Sequence, residues 1–325
     1  MTTEPIEKPN RLVSIDQYRG FAIVLMVLAN FMGGINSVPA YLKHAHDIGL
    51  TMIDLIAPFF IFAIGLTYGI SFRRRAARDG LWKAVEHFVR RWLALFGIGA
   101  LMVAAEIVIY DPAETNWGVL QAIGVAGLLT LPLLCLPTWG RALAGLGLLA
   151  VYQVMLDNFW LAGVLGAPHG GFTGSLSWTA MLILATVLAD LFHDARRSRK
   201  WFPRVSLLVL VLGAALAFWL PVSKNRVSST YVLISLGASA LLFWLFHGLC
   251  DVRGLKWELL SVWGENPLVL YVFHYVLLGF LVLPPFPIWH VDAPLWLVAT
   301  QAAALLAVLT WIGLIFRRKK WIFSL

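Results

Sequence analysis

Long apolar segments alternate with short polar ones along the whole chain. Each apolar segment has about 20 residues, which as a helix is enough to cross a hydrocarbon core of roughly 30 Å. The pattern therefore predicts an all-α, polytopic integral membrane protein with about ten transmembrane helices. The predicted spans are residues 20–37, 50–72, 89–109, 117–136, 141–156, 176–193, 205–221, 229–249, 263–284 and 294–316.

The distribution of basic residues predicts how these helices are oriented. If the first polar segment is cytoplasmic and the spans alternate, 22 of the 25 Lys and Arg side chains fall on the cytoplasmic side. The three on the outer side are Lys43, Lys224 and Arg226. Because cytoplasmic loops carry an excess of basic residues, we expect both termini to be cytoplasmic.

Composition agrees with this class of protein. Of the 325 residues, 60% are hydrophobic and 13% are charged, so we expect a single transmembrane domain over residues 1–325. The net charge of +8 would suit nucleic acid, but the basic residues lie in short loops between apolar segments. The expected partner is therefore the lipid bilayer and not nucleic acid. The N-terminus lacks the pattern of a cleaved signal peptide, and two cysteines do not suggest a disulfide framework.

The most unusual stretch is the hairpin of residues 11–75, because its two spans carry polar side chains. Ionisable groups at membrane depth are costly and usually functional. We therefore interpret the hairpin as the core of the domain. Its polar side chains are Asp16 and Arg19 at one mouth, Asn30 within the first span, His44 at the far mouth and Asp54 one turn inside the second span.

Several motifs in and beyond the hairpin are similar to those of one family. They are SIDQYRG at 14–20, KHA at 43–45, DLIAPFFIFAIG at 54–65, GVLQAIG at 118–124 and GENPLVLYVFH at 264–274. With Asn30, they resemble the catalytic core of the heparan-α-glucosaminide N-acetyltransferase family, part of a wider superfamily of transmembrane acyltransferases. The resemblance implies transfer of an acetyl group from cytoplasmic acetyl-CoA to an amino sugar or glycan acceptor on the outer side. The compact chain has bacterial proportions, so we expect it in a bacterial inner membrane.

His44 is the predicted catalytic residue. It matches the histidine that the family uses for acetyl transfer, and as a general base it would deprotonate an amine or hydroxyl acceptor. Asp54 follows ten residues later, and a carboxylate beside an imidazole fixes its tautomer and raises its basicity. Direct transfer and a covalent acetyl-enzyme are both open at this point. His46 is a rival in the same loop, although it does not match the family position.

Asn30 lies 11 residues after Arg19. Eleven residues is close to three helical turns, so the two side chains share a face about 16 Å apart along the axis. This distance is comparable with the reach of an extended pantetheine arm. Arg19 would hold a nucleotide phosphate while Asn30 donates a hydrogen bond to the thioester carbonyl and stabilises a developing oxyanion. The alternative is an amide bond between two membrane helices.

The resemblance also gives candidate residues for acetyl-CoA binding. Structural alternatives are an ion pair at a helix start for Asp16 and Arg19, and a satisfied core histidine for His274. The family usually carries arginine where this chain has Ala122, which puts the mode of phosphate binding in question. The candidate set is Asp16, Arg19, Gln121, Asn266 and His274, and Arg90 and Arg91 are substitutes on charge grounds.

Other functions are open on the sequence alone. The chain has no glycine-rich phosphate loop, CxxC, HExxH or GxSxG motif, and its histidines are not spaced as a metal set, so we expect no metal. Ten spans with buried polar groups would also suit a transporter or a lipid- or glycan-handling protein, although no internal repeat is evident. A structural or sensor protein is a third reading. Assembly into a homodimer, the acceptor and the acyl-chain selectivity are left open.

Overall fold

The structure is a computed structural model that describes residues 12–109, 117–194 and 198–323, and its regular elements there are all helical. Arg11, the predicted start of the hairpin, lies outside the described residues. The helices are α1 (Val13–Met32), α2 (Ile56–Asp79), α3 (Leu81–Ile109), α4 (Val119–Thr130), α5 (Thr138–Met155), α6 (Leu161–Leu165), α7 (Gly171–His193), α8 (Ser198–Leu216), α9 (Ser229–His247), α10 (Glu258–Glu265), α11 (Pro267–Val282) and α12 (Leu295–Arg318).

The helices confirm an all-α integral membrane protein. Within the described residues, six helical segments are long and apolar enough to cross a membrane, and a seventh is added if α10 and α11 are counted as one span. These segments contain α2, α3, α5, α7, α9 and α12. The other predicted spans overlap α1, α4 and α8, so the total of ten stays a prediction.

Two predicted features differ from the structure: one predicted span is sharply bent, and one predicted loop is helical. The predicted span 263–284 consists of α10 and α11, which meet at an angle of 88°. Pro267 is the first residue of α11, and proline is favoured there because the first helical N–H needs no partner within the helix. The predicted outer loop 157–175 is largely helical, since α5 continues through a π-turn at Leu156–Trp160 into α6.

Helix α1 packs on α2, α9, α10 and α11. Two glycines permit an unusually close approach of α1 to α10. A Cβ atom on Gly264 would lie 1.8 Å from the carbonyl oxygen of Asp16, and one on Gly20 would lie 1.9 Å from that of Leu260. The contact joins the motif at 14–20 to the motif at 264–274. The glycine in each motif is therefore needed for the packing of α1 against α10.

Candidate active site

The loop between α1 and α2 is fastened to two other loops. The Asn36 amide donates to the Asp292 carboxylate at 2.8 Å, and the Ser37 hydroxyl donates to the carbonyl of Ala293 at 2.6 Å. On its other side, Asp47 accepts from the Arg226 guanidinium and, at 2.9 Å, from the Ser223 hydroxyl. These bonds fix the segment that carries His44 over one end of the bundle.

His44 and Asp54, the predicted catalytic pair, are hydrogen-bonded to each other. His44 Nδ1 lies 2.8 Å from Asp54 Oδ1, and because a carboxylate only accepts, Nδ1 carries the proton. The other ring nitrogen, Nε2, is then the basic one. The imidazole is 45% exposed, whereas the Asp54 side chain is fully buried. This is the arrangement of a general base oriented by a carboxylate.

The second carboxylate oxygen of Asp54 is held by its own set of donors. The backbone N–H groups of Ala45 and Thr51 donate to Oδ2 at 3.2 and 2.9 Å, and the Thr51 hydroxyl lies 3.0 Å away. The Tyr231 hydroxyl also donates to the backbone carbonyl of Asp54 at 2.8 Å. A buried carboxylate with this many donors stays ionised and fixed in direction, so it fixes the direction of His44 as well.

His44 and Asp54 line a cavity of about 290 Å³, which we call the His44 cavity. Its wall also contains Asn30 from α1, so the structure brings together the three predicted catalytic residues. Polar side chains from more distant parts of the chain complete the wall. They are Glu106 of α3, His169 of the turn before α7, Lys224 of the loop before α9, and Tyr271 and Tyr275 of α11.

Asn30 is oriented by His274. The Nδ1 atom of His274 faces the carbonyl oxygen of Tyr271, so it must carry the ring proton. His274 Nε2 is therefore an acceptor, and the Asn30 amide donates to it at 3.1 Å. Asn30 is also hydrogen-bonded to Tyr271, and both side chains line the His44 cavity. His274 itself is fully buried and lies behind Asn30, not in the lining of the cavities described here.

Lys224 affects the protonation of His44. Burial lowers the pKa of Lys224 from 10.5 to about 8, against the attraction of the Asp54 carboxylate. The pKa of His44 also lies below its ordinary value of 6.5, because the ring is partly withdrawn from water and because Lys224 repels a second positive charge. The hydrogen bond to Asp54 opposes this lowering. Because its pKa is lowered, His44 is neutral at pH 7, and its Nε2 atom can accept a proton.

A second cavity, of about 410 Å³, begins at the opposite end of α1. We call it the Arg19 cavity. Arg19 and Arg91 line it, and the Arg19 guanidinium donates to the Thr67 hydroxyl at 2.9 Å. The two cavities share part of their walls, namely Met26, Leu120 and Tyr271. They therefore adjoin, and we refer to the two cavities together as the passage from Arg19 to His44.

A pocket of about 350 Å³ opens beside the Arg19 cavity. Asp16, Arg19 and Arg74 line it, together with His193, whose Nε2–H donates to the carbonyl of Leu66 at 3.0 Å. The structure thus places Asp16 and Arg19 at one mouth, as predicted. It also places Arg91 in the adjoining cavity wall, while Arg90 pairs with Glu86.

Two other predicted donor-binding residues have structural partners. Gln121 accepts from the backbone N–H of Gly118 at 2.8 Å and so caps the start of α4. Asn266 donates to the carbonyl of Trp321 and accepts from the N–H of Phe323, at 3.0 and 2.8 Å. Neither side chain lines the passage, but Phe323, which Asn266 holds, does line the Arg19 cavity.

Sequence reasoning did not select Lys224, His169 and Glu106. The ring nitrogen Nδ1 of His169 is buried with no partner among the described residues, and it lines the His44 cavity. His169 lies between the predicted spans 141–156 and 176–193, in a stretch rich in Gly and Pro. Lys224 is one of only three basic residues that the predicted topology assigns to the outer side. Because basic residues are rare on that side, this position could have marked Lys224 as a candidate. Glu106 is one acidic residue near the end of a predicted span.

The fold and this passage define an integral membrane protein with a carboxylate-held histidine at one end of a transmembrane cavity system. The catalytic-region model of heparan-alpha-glucosaminide N-acetyltransferase matches residues 11–249. The chain belongs to this family, which confirms the resemblance. It is similar to the heparan-alpha-glucosaminide N-acetyltransferases of Mus musculus, at 35% identity over 123 residues, and of Homo sapiens, at 34% over 124 residues. Each alignment covers 36% of this chain and 18% of the relative's length.

Proposed function

We propose that the protein is a transmembrane acetyltransferase that uses acetyl-CoA to acetylate an amino sugar or glycan acceptor. The observation that carries this proposal is the passage from Arg19 to His44. A cationic mouth at one end and an oriented base at the other suit a donor that is anionic at one end and reactive at the other. Membership of the family supports the same reaction.

The donor would enter at the Arg19 mouth. Arg19, Arg74 and Arg91 supply cations for the phosphates of CoA without a need for arginine at Ala122. The pantetheine arm would lie in the Arg19 cavity and cross into the His44 cavity beside Tyr271. Asn30 is about 16 Å from Arg19 along α1, so the thioester would reach its amide.

The chemistry would be direct transfer. His44 Nε2 takes a proton from the acceptor amine as the amine nitrogen attacks the thioester carbonyl carbon. The Asn30 amide would donate to the developing oxyanion in place of Tyr271. The C–N bond forms, the C–S bond breaks, and the proton on His44 passes to the CoA thiolate. One positioned base and proximity are sufficient for this reaction, so a covalent acetyl-enzyme is not required.

The acceptor would bind at the His44 end. His44, His169 and Lys224 surround the cavity there and offer hydrogen bonds to a sugar. With the basic loops on the cytoplasmic side, this end faces outward and the Arg19 end faces the acetyl-CoA supply. We place the protein in a bacterial cytoplasmic membrane, where an envelope amino sugar is accessible from that side.

The test is the release of free CoA from acetyl-CoA by purified protein, with and without glucosamine. We expect release that requires the amino sugar and that is lost in His44→Ala. His46→Ala is the matched control, because this neighbouring histidine is exposed and should not affect turnover. If acetyl-CoA neither binds nor turns over in the wild type, the proposal fails. Substrate flux without acyl-CoA would then support a transporter.

A further inference from the structure

A further cavity, of about 870 Å³, lies between α3 and α11. Helix α3 packs on α2 and α4, and α11 packs on α1 and α12, so a cleft remains between them. We call it the α3/α11 cleft. Its rim consists of exposed apolar side chains, including Leu101, Phe280 and Leu283. In a bilayer this rim faces hydrocarbon, so the cleft opens sideways into the membrane.

The inner end of the cleft is polar, unlike its rim. Asn30, Glu106 and Tyr275 line both the cleft and the His44 cavity. The Tyr271 hydroxyl donates to the Tyr275 hydroxyl at 3.4 Å, and the Tyr275 hydroxyl is hydrogen-bonded to the Glu106 carboxylate. The cleft is therefore a side entrance to the proposed reaction site.

Glu106 indicates which class of ligand would bind in the cleft. A carboxylate at the inner end of an apolar cleft in a bilayer is costly unless a cation pairs with it. Among the described residues its hydrogen-bond partner is Tyr275, which is neutral, and it forms no ion pair with them, so the carboxylate can pair with a cationic ligand. An ammonium group is the complementary ligand. The apolar volume outside Glu106 suits a hydrocarbon chain attached to that ammonium group.

We propose that the acceptor is a membrane-anchored amine, such as an amino sugar on a lipid carrier, which enters through the α3/α11 cleft. This inference rests on the proposed function. The hydrocarbon chain lies between α3 and α11, and Glu106 pairs with the ammonium group. The ammonium releases one proton to water, and the neutral amine then attacks the thioester, with His44 taking its second proton.

Gly279 provides a variant that fills the cleft. It lines the cleft on α11, and a Cβ atom placed there would meet no atom of the described residues within 4 Å. Gly147 on α5 is equally free of neighbours and lies outside the cleft, so Gly147→Leu is the matched control for Gly279→Leu. Both changes add the same side chain to an open helix surface, so neither should prevent folding.

The first measurement compares dodecyl glucosaminide with glucosamine as acceptors in lipid nanodiscs. We expect wild-type kcat/KM to be at least about tenfold higher for the lipid-anchored amine. Gly279→Leu should lower the ratio of the two values about tenfold, and Gly147→Leu should leave it unchanged. A ratio that is equal in all three proteins would overturn the proposal.

The second measurement does not depend on turnover. A diazirine-bearing alkyl glucosaminide is compared with the corresponding alkyl glucoside, which has a hydroxyl in place of the amine. We expect the amine probe to label α3 and α11 preferentially, and to lose this preference in Glu106→Gln and Gly279→Leu. Equal labelling of α3, α11 and α5 by both probes would mean that bilayer lipid alone fills the cleft. Preferential labelling without acetylation of any amine would support the cleft and count against the acetyltransferase.

Discussion

Replacement of Asp54 by Asn tests whether the carboxylate sets the tautomer of His44. Oδ2 of Asp54 accepts from two backbone N–H groups, those of Ala45 and Thr51. In the variant, the amide oxygen must take this position, because an NH₂ group would face two donors. The NH₂ group then faces His44 Nδ1, which must become an acceptor. The proton of the ring moves to Nε2, where the base is needed.

The expected loss follows from this change of tautomer. Removal of general base catalysis costs about 10²–10⁴-fold, so kcat of Asp54→Asn should fall by that factor, with little change in KM for acetyl-CoA. Stability should change little because every backbone donor keeps an acceptor. Asp54→Ala is different, since it leaves buried donors without partners, each at a cost of about 1–3 kcal/mol.

The assay is CoA release at saturating acetyl-CoA, with the melting temperature of each variant measured in the same detergent. Asp47→Asn is the comparison for a general loosening of the loop, because Asp47 anchors the same loop through Arg226 and Ser223 but does not line the His44 cavity, so its loss of kcat should be smaller. The reasoning is refuted if Asp54→Asn keeps kcat within about threefold of wild type, a change too small for loss of the base.

Further predictions concern four residues around the passage. Asn30→Ala should lower kcat about 10²–10³-fold if the amide stabilises an oxyanion. His274→Phe should lower it less, and the double variant should be no slower than Asn30→Ala, because His274 acts through Asn30; additive losses would show an independent role. Lys224→Met should move the acid limb of the kcat profile to higher pH, since loss of its charge raises the pKa of His44, and the protonated ring is inactive. If the acid limb stays at the same pH, the charge of Lys224 does not act on His44. Arg91→Ala should raise KM about tenfold for acetyl-CoA and leave acetyl-pantetheine, which lacks the nucleotide phosphates, unaffected; equal effects on both donors would exclude a phosphate contact.

The hairpin was predictable because its signals are local. Apolar length marks the two helices, and polar residues at membrane depth, together with the family resemblance, select Asn30, His44 and Asp54. The ten-residue separation of His44 and Asp54 is short enough for one loop to bring them together, and the structure places their side chains 2.8 Å apart. Which ring nitrogen of His44 faces the carboxylate, and hence the tautomer, had to come from the structure.

The rest of the site depends on contacts between distant segments. Lys224 reaches the cavity because Arg226 and Ser223 fasten its loop to Asp47, a pairing that spans more than half of the chain. Gln121 lies in a family motif, yet its side chain caps its own helix. A motif reports that a residue matters, but it does not separate a ligand contact from a structural one.

Asn30 shows why two motifs far apart in sequence belong to one site. Its spacing from Arg19 places it on the correct face of α1, but an amide on a helix rotates unless one of its atoms is held. His274 holds it from α11, and the neutral tautomer of His274 is set by the carbonyl of Tyr271. Tyr271 in turn lines the junction of the two cavities. The residues 271–274 therefore position an amide on α1 and shape the passage that leads to it, and this double role accounts for a histidine at the centre of an otherwise apolar helix.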